Sequence, residues 1–525
     1  MDRIDLLEKF KVNGVSDAEK FVDLIYELEP QKRQAIVNVI CPDVSLSLSE
    51  LQQSLYELHP PFKLLLNGTY AEVAQFPSAG IPAQSKSISQ SVNKGYNAGI
   101  GIAHDRFGNI LAPPYINRFI SSLKPQNCNE STWSNVRNEL LKYTSSLGAN
   151  WYRRVARLRY LRDGCADDTL MNLMQKSLIS DPIPCYGGTS ALSLIFWLYG
   201  GSGCPVVFPS SYWGNMNLKC RLHGMQTEIC NYMEADGTIR PEQLREKLSE
   251  IRNKGYSKVV VYFNFPHNPT GVVPNQEEAY ALGQICREAS RSNFCVIALS
   301  DEPYFPFLRG SDAIQVPFSY YLQPMDSINM ITAVSINGTK RDGIYGFRHS
   351  DLFFQYPIET NVEAVKILEE DILQGMLRGL FSFSNVLNQY IVGRGLTQNA
   401  LLPLMNPNDI ELSEDVYEEE KSMVDTMKEE VCKTTSLLSG KEFDGFNRVG
   451  TENSAGGFFI SHTVESGTPS DVHKVGLQNQ CGVIAAGDYV RINALLPDAH
   501  RNQFIENLKT TLAVSKKIVE SSNEE

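Results

Sequence analysis

From about residue 180 the chain alternates two hydrophobic patterns. Short runs without a polar break, PVVFP, KVVVYFNF, FCVIALSD and MITAVSI, are rich in β-branched residues and read as buried parallel strands. Between them ALSLIFWLYG and NQEEAYALGQICREASRSN read as helices. Such alternation predicts an α/β fold with a mainly parallel sheet. The upstream texture differs. Ser16 and Glu19 form a capping-box pattern, and Phe21, Leu24, Ile25 and Leu28 recur at helical spacing. LSELQQSLYELH places Leu48, Leu51, Leu55 and Leu58 on one side of a second helix, which HPPFKLLLNG breaks. QFPSAGIPAQSKSISQSVNKG reads as a linker. Beyond about residue 395 a long helix with an acidic start, EDVYEEEKSMVDTMKEEVCKTTSLL, precedes two strand-like runs, GGFFISHTV and DYVRINALL, and a closing helix. The pattern divides the chain into a helical extension (1–85), a linker and lead-in segment (86–118), a large unit (119–394) and a smaller α+β unit (395–525).

Composition adds bounds. The 525 residues are 42% hydrophobic and 21% charged, with a formal charge of −12. Such a chain has no overall attraction to nucleic acid or anionic lipid, and no nucleic-acid partner is expected. No apolar run approaches the roughly 18 residues of a membrane span, and the charged start MDRIDLLEKFKVNG lacks a signal-peptide apolar stretch. The eleven cysteines show no CxxC pair and no metal spacing, which reads as reduced thiols in a cytoplasm, with no metal expected. The arginine-rich WYRRVARLRYLRDG reads as a helix whose charges meet acidic partners or a second subunit.

Chemistry-bearing residues stand just after the strand-like runs, where ligands of parallel sheets collect. YGGTSAL offers Gly187, Gly188 and Thr189 at a helix start, a place able to hold a phosphate. Trp213, after PVVFP, can stack on a flat ring. Asn268 opens the NPTG turn after KVVVYFNF. Asp301 ends FCVIALSD, with Tyr304 three residues on, and a buried carboxylate there needs a cationic partner. Lys340 follows MITAVSI, accompanied by Asn337, Thr339 and Arg348, whose guanidinium suits a phosphate or carboxylate. Arg491, in DYVRINALL, calls for a carboxylate partner. Each signal alone has a plainer reading as a cap, a packed ring or a surface charge. Their order forms one coherent site, suited to pyridoxal phosphate, with a lysine for the Schiff base and a carboxylate for the pyridinium nitrogen.

These motifs, together with YNAGIGIAHDRFGN, SSYWGNMN, HNPTG, SDEPY, GGFF and VRIN, resemble the class I/II aminotransferases, pyridoxal-phosphate enzymes of fold type I. The resemblance covers roughly residues 95 to 515 and is nearest the aspartate and aromatic subgroup. It implies a pyridoxal 5′-phosphate-dependent aminotransferase that moves an amino group between an amino acid and a 2-oxo acid. Lys340 would form the Schiff base and shuttle the proton, with Asp301 on the ring nitrogen. Tyr304 and Asn268 would meet the ring's phenolic oxygen, and Trp213 its face. Gly188, Thr189, Thr339, Arg348 and Asn337 would hold the phosphate. Tyr143 would reach the phosphate of a neighbouring subunit in a homodimer. Arg491 would take the substrate α-carboxylate, and Gly101 and Phe459 would line the substrate mouth.

The chain also departs from the family's pattern. Thr339 and Asn337 stand where a serine is usual, Ser350 stands where a glycine is common, and Arg341 beside the lysine is unusual. Leu380 takes the place of an arginine found in dicarboxylate-specific members. A lyase or decarboxylase using the same site, and a non-catalytic sensor on this fold, are the alternatives.

Overall fold

The buried apolar runs build the middle of an eight-stranded sheet in a computed structural model that describes residues 48–66, 110, 112–165, 167–168, 177–234, 236–291 and 293–523. Its first strands in the chain are β1 (Ser177–Ile179), β2 (Ile183–Cys185), β3 (Pro205–Phe208), β4 (Gln226–Ile229), β5 (Lys258–Phe263) and β6 (Cys295–Glu302). A short β7 (Leu308–Arg309) lies apart, and β8 (Met330–Ile336) and β9 (Ser350–Pro357) complete the sheet. The order is β1-β9-β8-β6-β5-β3-β4, with β2 also against β9. Strands β4, β3, β5, β6 and β8 run parallel, and β9 returns antiparallel to β8. The four runs read as buried parallel strands are therefore β3, β5, β6 and β8.

Period-two alternation sorts the strand residues between two cores. Val259, Val261, Phe263, Val296 and Ala298 face one cluster. Val260, Tyr262, Cys295, Ile297 and Leu299 face the other. Because both faces are covered, β6 is buried at all its positions, Asp301 and Glu302 included.

The helices used below are α1 (Leu48–Leu58), α2 (Phe62–Leu65), α3 (Asn150–Asp163), α4 (Gly188–Tyr199), α5 (Asn215–Leu222), α6 (Gln276–Ala289), α7 (Gly338–Arg341) and α8 (Glu414–Leu437). The apolar residues of α4, Ala191, Leu192, Leu194, Ile195, Phe196, Leu198 and Tyr199, are buried against the sheet. At α6, Asn275 and Glu278 form a reciprocal capping box. The stretch 48–66 packs inward: Leu55, Phe62, Leu65 and Leu66 join the second core, and the Phe62 ring meets Tyr356 edge-on at 6.0 Å. The Ser16–Glu19 pattern and the linker fall outside the described residues.

A four-stranded antiparallel sheet follows, in the order β10 (Phe446–Arg448), β12 (Phe459–Val464), β14 (Tyr489–Asn493), β13 (Ile484–Ala486). It shares a core with α8 and α9 (Asp498–Asn523). The short β11 (Ala455–Gly456) pairs with β7 and joins the two parts of the chain. Among the described residues no helix is long and apolar enough to cross a membrane.

Candidate active site

Strands β5, β6 and β8 end side by side, and each delivers polar residues to the same place. β5 leads into Asn264 and Asn268, β6 carries Asp301 as its last residue but one, and β8 leads into Asn337 and α7. Asn337 caps α7, its Oδ1 accepting from the Thr339 N–H at 3.0 Å, which presents Thr339 and Lys340. The turn after β2 adds Gly188 and Thr189, the segment after β3 adds Trp213, and the second sheet adds Phe459 and Arg491. All of them, with Tyr304 and Arg348, line one cavity of about 410 Å³.

Asp301 lies at the floor of this cavity, 4% exposed. The Tyr262 hydroxyl donates to its Oδ2 at 3.0 Å. Among the described residues no cationic side chain comes within ion-pair distance, which leaves a protonated ligand nitrogen as the cationic partner expected from sequence. Burial pushes the Asp301 carboxyl up to about 7, opposed by the Tyr262 hydrogen bond and the charge of Lys219. Asn264 fixes the surrounding backbone: its Nδ2 donates to Asp301 O at 2.8 Å, and its Oδ1 accepts from the Asn268 N–H at 2.9 Å.

Lys340 is half-buried and has no ion pair among the described residues. Its Nζ lies 4.9 Å from the Tyr345 ring centroid and 5.9 Å from that of Tyr304. Burial lowers its pKa, and the like charges of Arg348 and Arg491 lower it further. A lysine so placed reaches its neutral, nucleophilic form more readily than one in water.

Arg348 adopts left-handed backbone angles, φ 55 and ψ 63, an unfavoured conformation for a side chain of its size. Its guanidinium packs over the Gly187–Gly188 turn. A Cβ at Gly187 would sit 2.6 Å from Arg348 Nη2, and one at Gly188 would sit 2.8 Å from Asn337 Nδ2. Gly187 also has φ 77. Ser350, two residues past the arginine, is fully buried, and its hydroxyl has no partner among the described residues.

Across the cavity Arg491 stacks over the Phe459 ring at 4.3 Å, and its Nη1 donates to Asn268 Oδ1 at 2.9 Å. No carboxylate partner is present among the described residues, so the rest of the guanidinium remains for a ligand. Tyr304 packs edge-on against Phe458 and Phe459, each at 5.5 Å.

Two residues singled out in the sequence stand apart. Tyr143 is exposed and stacks on Phe383 at 4.5 Å, away from the cavity lining. Gly101 lies outside the described residues. Conversely, Tyr262, Asn264 and Tyr345 line the cavity without having been singled out. Tyr262 sits inside an apolar strand and reads as core, whereas Asn264, just past that strand and before HNPTG, was a readable signal. The arginine-rich helix α3 finds acids: Arg153 meets Glu369, Arg157 meets Asp181, and Arg159 meets Asp342 and Glu420.

The family profile for aminotransferase class I and II matches residues 168–508. An aspartate aminotransferase of Bacillus subtilis is 27% identical over 234 residues, 44% of this chain and 52% of that protein. A probable aspartate/prephenate aminotransferase of Aquifex aeolicus is 27% identical over 202 residues, 38% of this chain and 48% of that protein. The matched stretch thus spans about half the length of these relatives. Among solved structures, an aminotransferase from Anaerococcus prevotii superposes with a TM-score of 0.56 at 17% identity, covering 82% of this chain and 94% of that one. A kynurenine aminotransferase from Pyrococcus horikoshii gives 0.55 at 17% identity, covering 78% and 95%. At such identities the structural likeness is one of fold, and that fold is the type I aminotransferase fold. The profile match covers more than half of the sequence: the chain belongs to the class I and II aminotransferases.

Proposed function

We propose that the cavity binds pyridoxal 5′-phosphate and that the chain transfers an amino group between an amino acid and a 2-oxo acid. The observation that carries this is the gathering of Lys340, Asp301 and Arg348 around one cavity at the strand ends, with no acidic partner for Lys340 among the described residues. The lining fits the cofactor. Among the described residues the Arg348 guanidinium donates to the Tyr345 carbonyl alone, at 3.3 Å, and its charge faces a turn whose two glycines leave room for a phosphate. Asp301, which accepts from Tyr262, opens onto the cavity where a proton-bearing ring nitrogen would meet it, and the buried Ser335 lies between it and Gly188.

Bound there, the cofactor supplies an aldehyde for amines and a ring that takes up the electron pair left when a proton leaves carbon. Each residue then has a task. The neutral Lys340 amine would be the group that bonds the cofactor and, when free, the base that holds and moves the substrate's α-proton. Asp301 would keep a proton on the ring nitrogen, with the hydroxyl of Tyr262 supporting its carboxylate. Tyr304 and Asn268 would serve the ring's phenolic oxygen, and Trp213 would pack on the ring. Gly188, Thr189, Thr339 and Arg348 would hold the phosphate, with Asn337 fixing their turn. Arg491 fixes the α-carboxylate, and Phe459 flattens one wall.

Tyr143, exposed near Phe383, supports a shared-site homodimer in which it reaches the partner's phosphate. The cysteines described are all free thiols, which supports a reducing, cytoplasmic setting. Purified protein with added cofactor should absorb in the visible. Amino donors supplied without acceptor should shift that absorbance, and Lys340→Ala should abolish turnover. A Lys340→Ala protein with full turnover would sink the proposal. Ammonia and a 2-oxo acid released without acceptor would instead identify a lyase.

A further inference from the structure

Lys219, on α5, is 4% exposed. Its Nζ donates to Thr189 O at 2.5 Å and to Ser193 Oγ at 2.7 Å, both on α4. Among the described residues it has no carboxylate within ion-pair distance. A buried ammonium held by neutral acceptors alone is costly, and methionine would fill the same volume without that cost. Burial lowers its pKa to about 8, and the carboxylate of Asp301 opposes the shift. At neutral pH the group therefore still carries its charge.

That charge stands directly behind the Gly188–Thr189 turn. The lysine does not line the cavity, so it acts through what it holds. By donating to the Thr189 carbonyl it polarises the peptide whose N–H, that of Ser190, closes the turn on Gly187 O at 3.0 Å. It also sets a positive charge under a helix start, where first-turn N–H groups favour an anion. On the cavity side Arg348 supplies one cation to this turn. A phosphate dianion at this turn would meet Arg348 on the cavity side and draw on Lys219 as a second cation behind it. Resting on the cofactor reading above, we propose that Lys219 is a positioning residue for the phosphate, clamping the first turn of α4 and adding a buried cation behind it.

The test uses cofactor-free protein titrated with pyridoxal 5′-phosphate and, separately, with pyridoxal, which lacks the phosphate. Binding is followed by quenching of tryptophan fluorescence. Lys219→Met should weaken the phosphorylated ligand by about tenfold or more, the scale of a lost charge-assisted bond, and leave pyridoxal within about twofold. Inorganic phosphate should compete with the cofactor about tenfold less well in the variant than in the wild type. Lys219→Gln keeps a donor for Thr189 O without the charge, and it carries the test if the methionine variant does not fold. Ser193→Ala, which keeps the charge, should preserve the preference for the phosphorylated ligand. Equal weakening of both ligands, or none, overturns the proposal. Wild-type protein that binds neither ligand overturns the cofactor reading itself.

Discussion

Arg341, the residue after Lys340, donates its Nε to Glu420 Oε1 at 2.6 Å and its two terminal nitrogens to the Asp163 carboxylate at 2.5 and 2.8 Å. Asp342 is held in the same way, accepting from Arg159 Nη2 at 2.6 Å. The short helix bearing Lys340 is thus pinned to α3 and to α8. Arg341 is 3% exposed. Glu420→Gln would leave Arg341 only Asp163 and Arg159 only Asp342, so it should cost about 1.5–3 kcal/mol in urea unfolding, the range of a lost charged hydrogen bond. Burial alone pushes the Glu420 carboxyl up, but Arg159 and Arg341 outweigh it and hold it well below the usual carboxylate range. A lowered folded-state pKa gives stability that is present above the unfolded value and lost as pH falls through the folded one. The deficit of the variant should therefore be full at pH 6 and shrink only in strong acid. A deficit that vanished near pH 5 would contradict the network.

Asp301 predicts the opposite slope. Its folded-state pKa is raised to about 7, chiefly by burial, so in cofactor-free protein the folded state binds the proton more tightly than the unfolded chain. Stability then falls as pH rises from about 4 to 7. Asp301→Asn removes the charge but keeps an acceptor for Tyr262. Without cofactor it should be more stable than the wild type at pH 8, by on the order of 2–4 kcal/mol, and equal to it near pH 4. Equal stability at pH 8, read by thermal unfolding, would show that Asp301 is not desolvated in solution.

These two carboxylates also show how far sequence reached. Asp301 was legible because it ends an apolar run, and the same logic found Asn268 and Lys340. The parallel strands were legible because burial on both faces leaves unbroken apolar runs. Tyr262 was not, since a tyrosine inside such a run looks like packing until its hydroxyl is placed. Lys219 was hidden in GNMNLKCRL, where a lone lysine reads as solvated. The acids that answer Arg341 lie 178 and 79 residues away along the chain, a pairing that only tertiary structure creates.

Gly187 should be intolerant of a side chain for two reasons. Its φ of 77 disfavours one, and a Cβ would press within 2.6 Å of Arg348 Nη2. Gly187→Ala should displace the guanidinium from the turn. The expected result is a loss of affinity for pyridoxal 5′-phosphate of about tenfold or more, the worth of a charged hydrogen bond. Pyridoxal, with no phosphate to lose, should bind nearly as before. A variant that bound both ligands like the wild type would remove Arg348 from the phosphate site.

Arg491 separates substrate binding from cofactor binding. One nitrogen is committed to Asn268 Oδ1 and its face to Phe459, which fixes the plane of the guanidinium and aims its remaining donors into the cavity. A lysine there would keep the charge but lose both the fork and the stacking. Arg491→Lys should therefore raise KM for amino acid and oxo acid alike by about 10–100-fold, as expected when a bidentate pair is reduced to a point charge. Affinity for the cofactor should stay within about twofold, because Arg491 is assigned to the substrate carboxylate and not to the phosphate. Steady-state kinetics and cofactor titration on the same preparation check both halves. If cofactor affinity collapsed while KM held, Arg491 would belong with Arg348 at the phosphate, and the substrate carboxylate would need another partner.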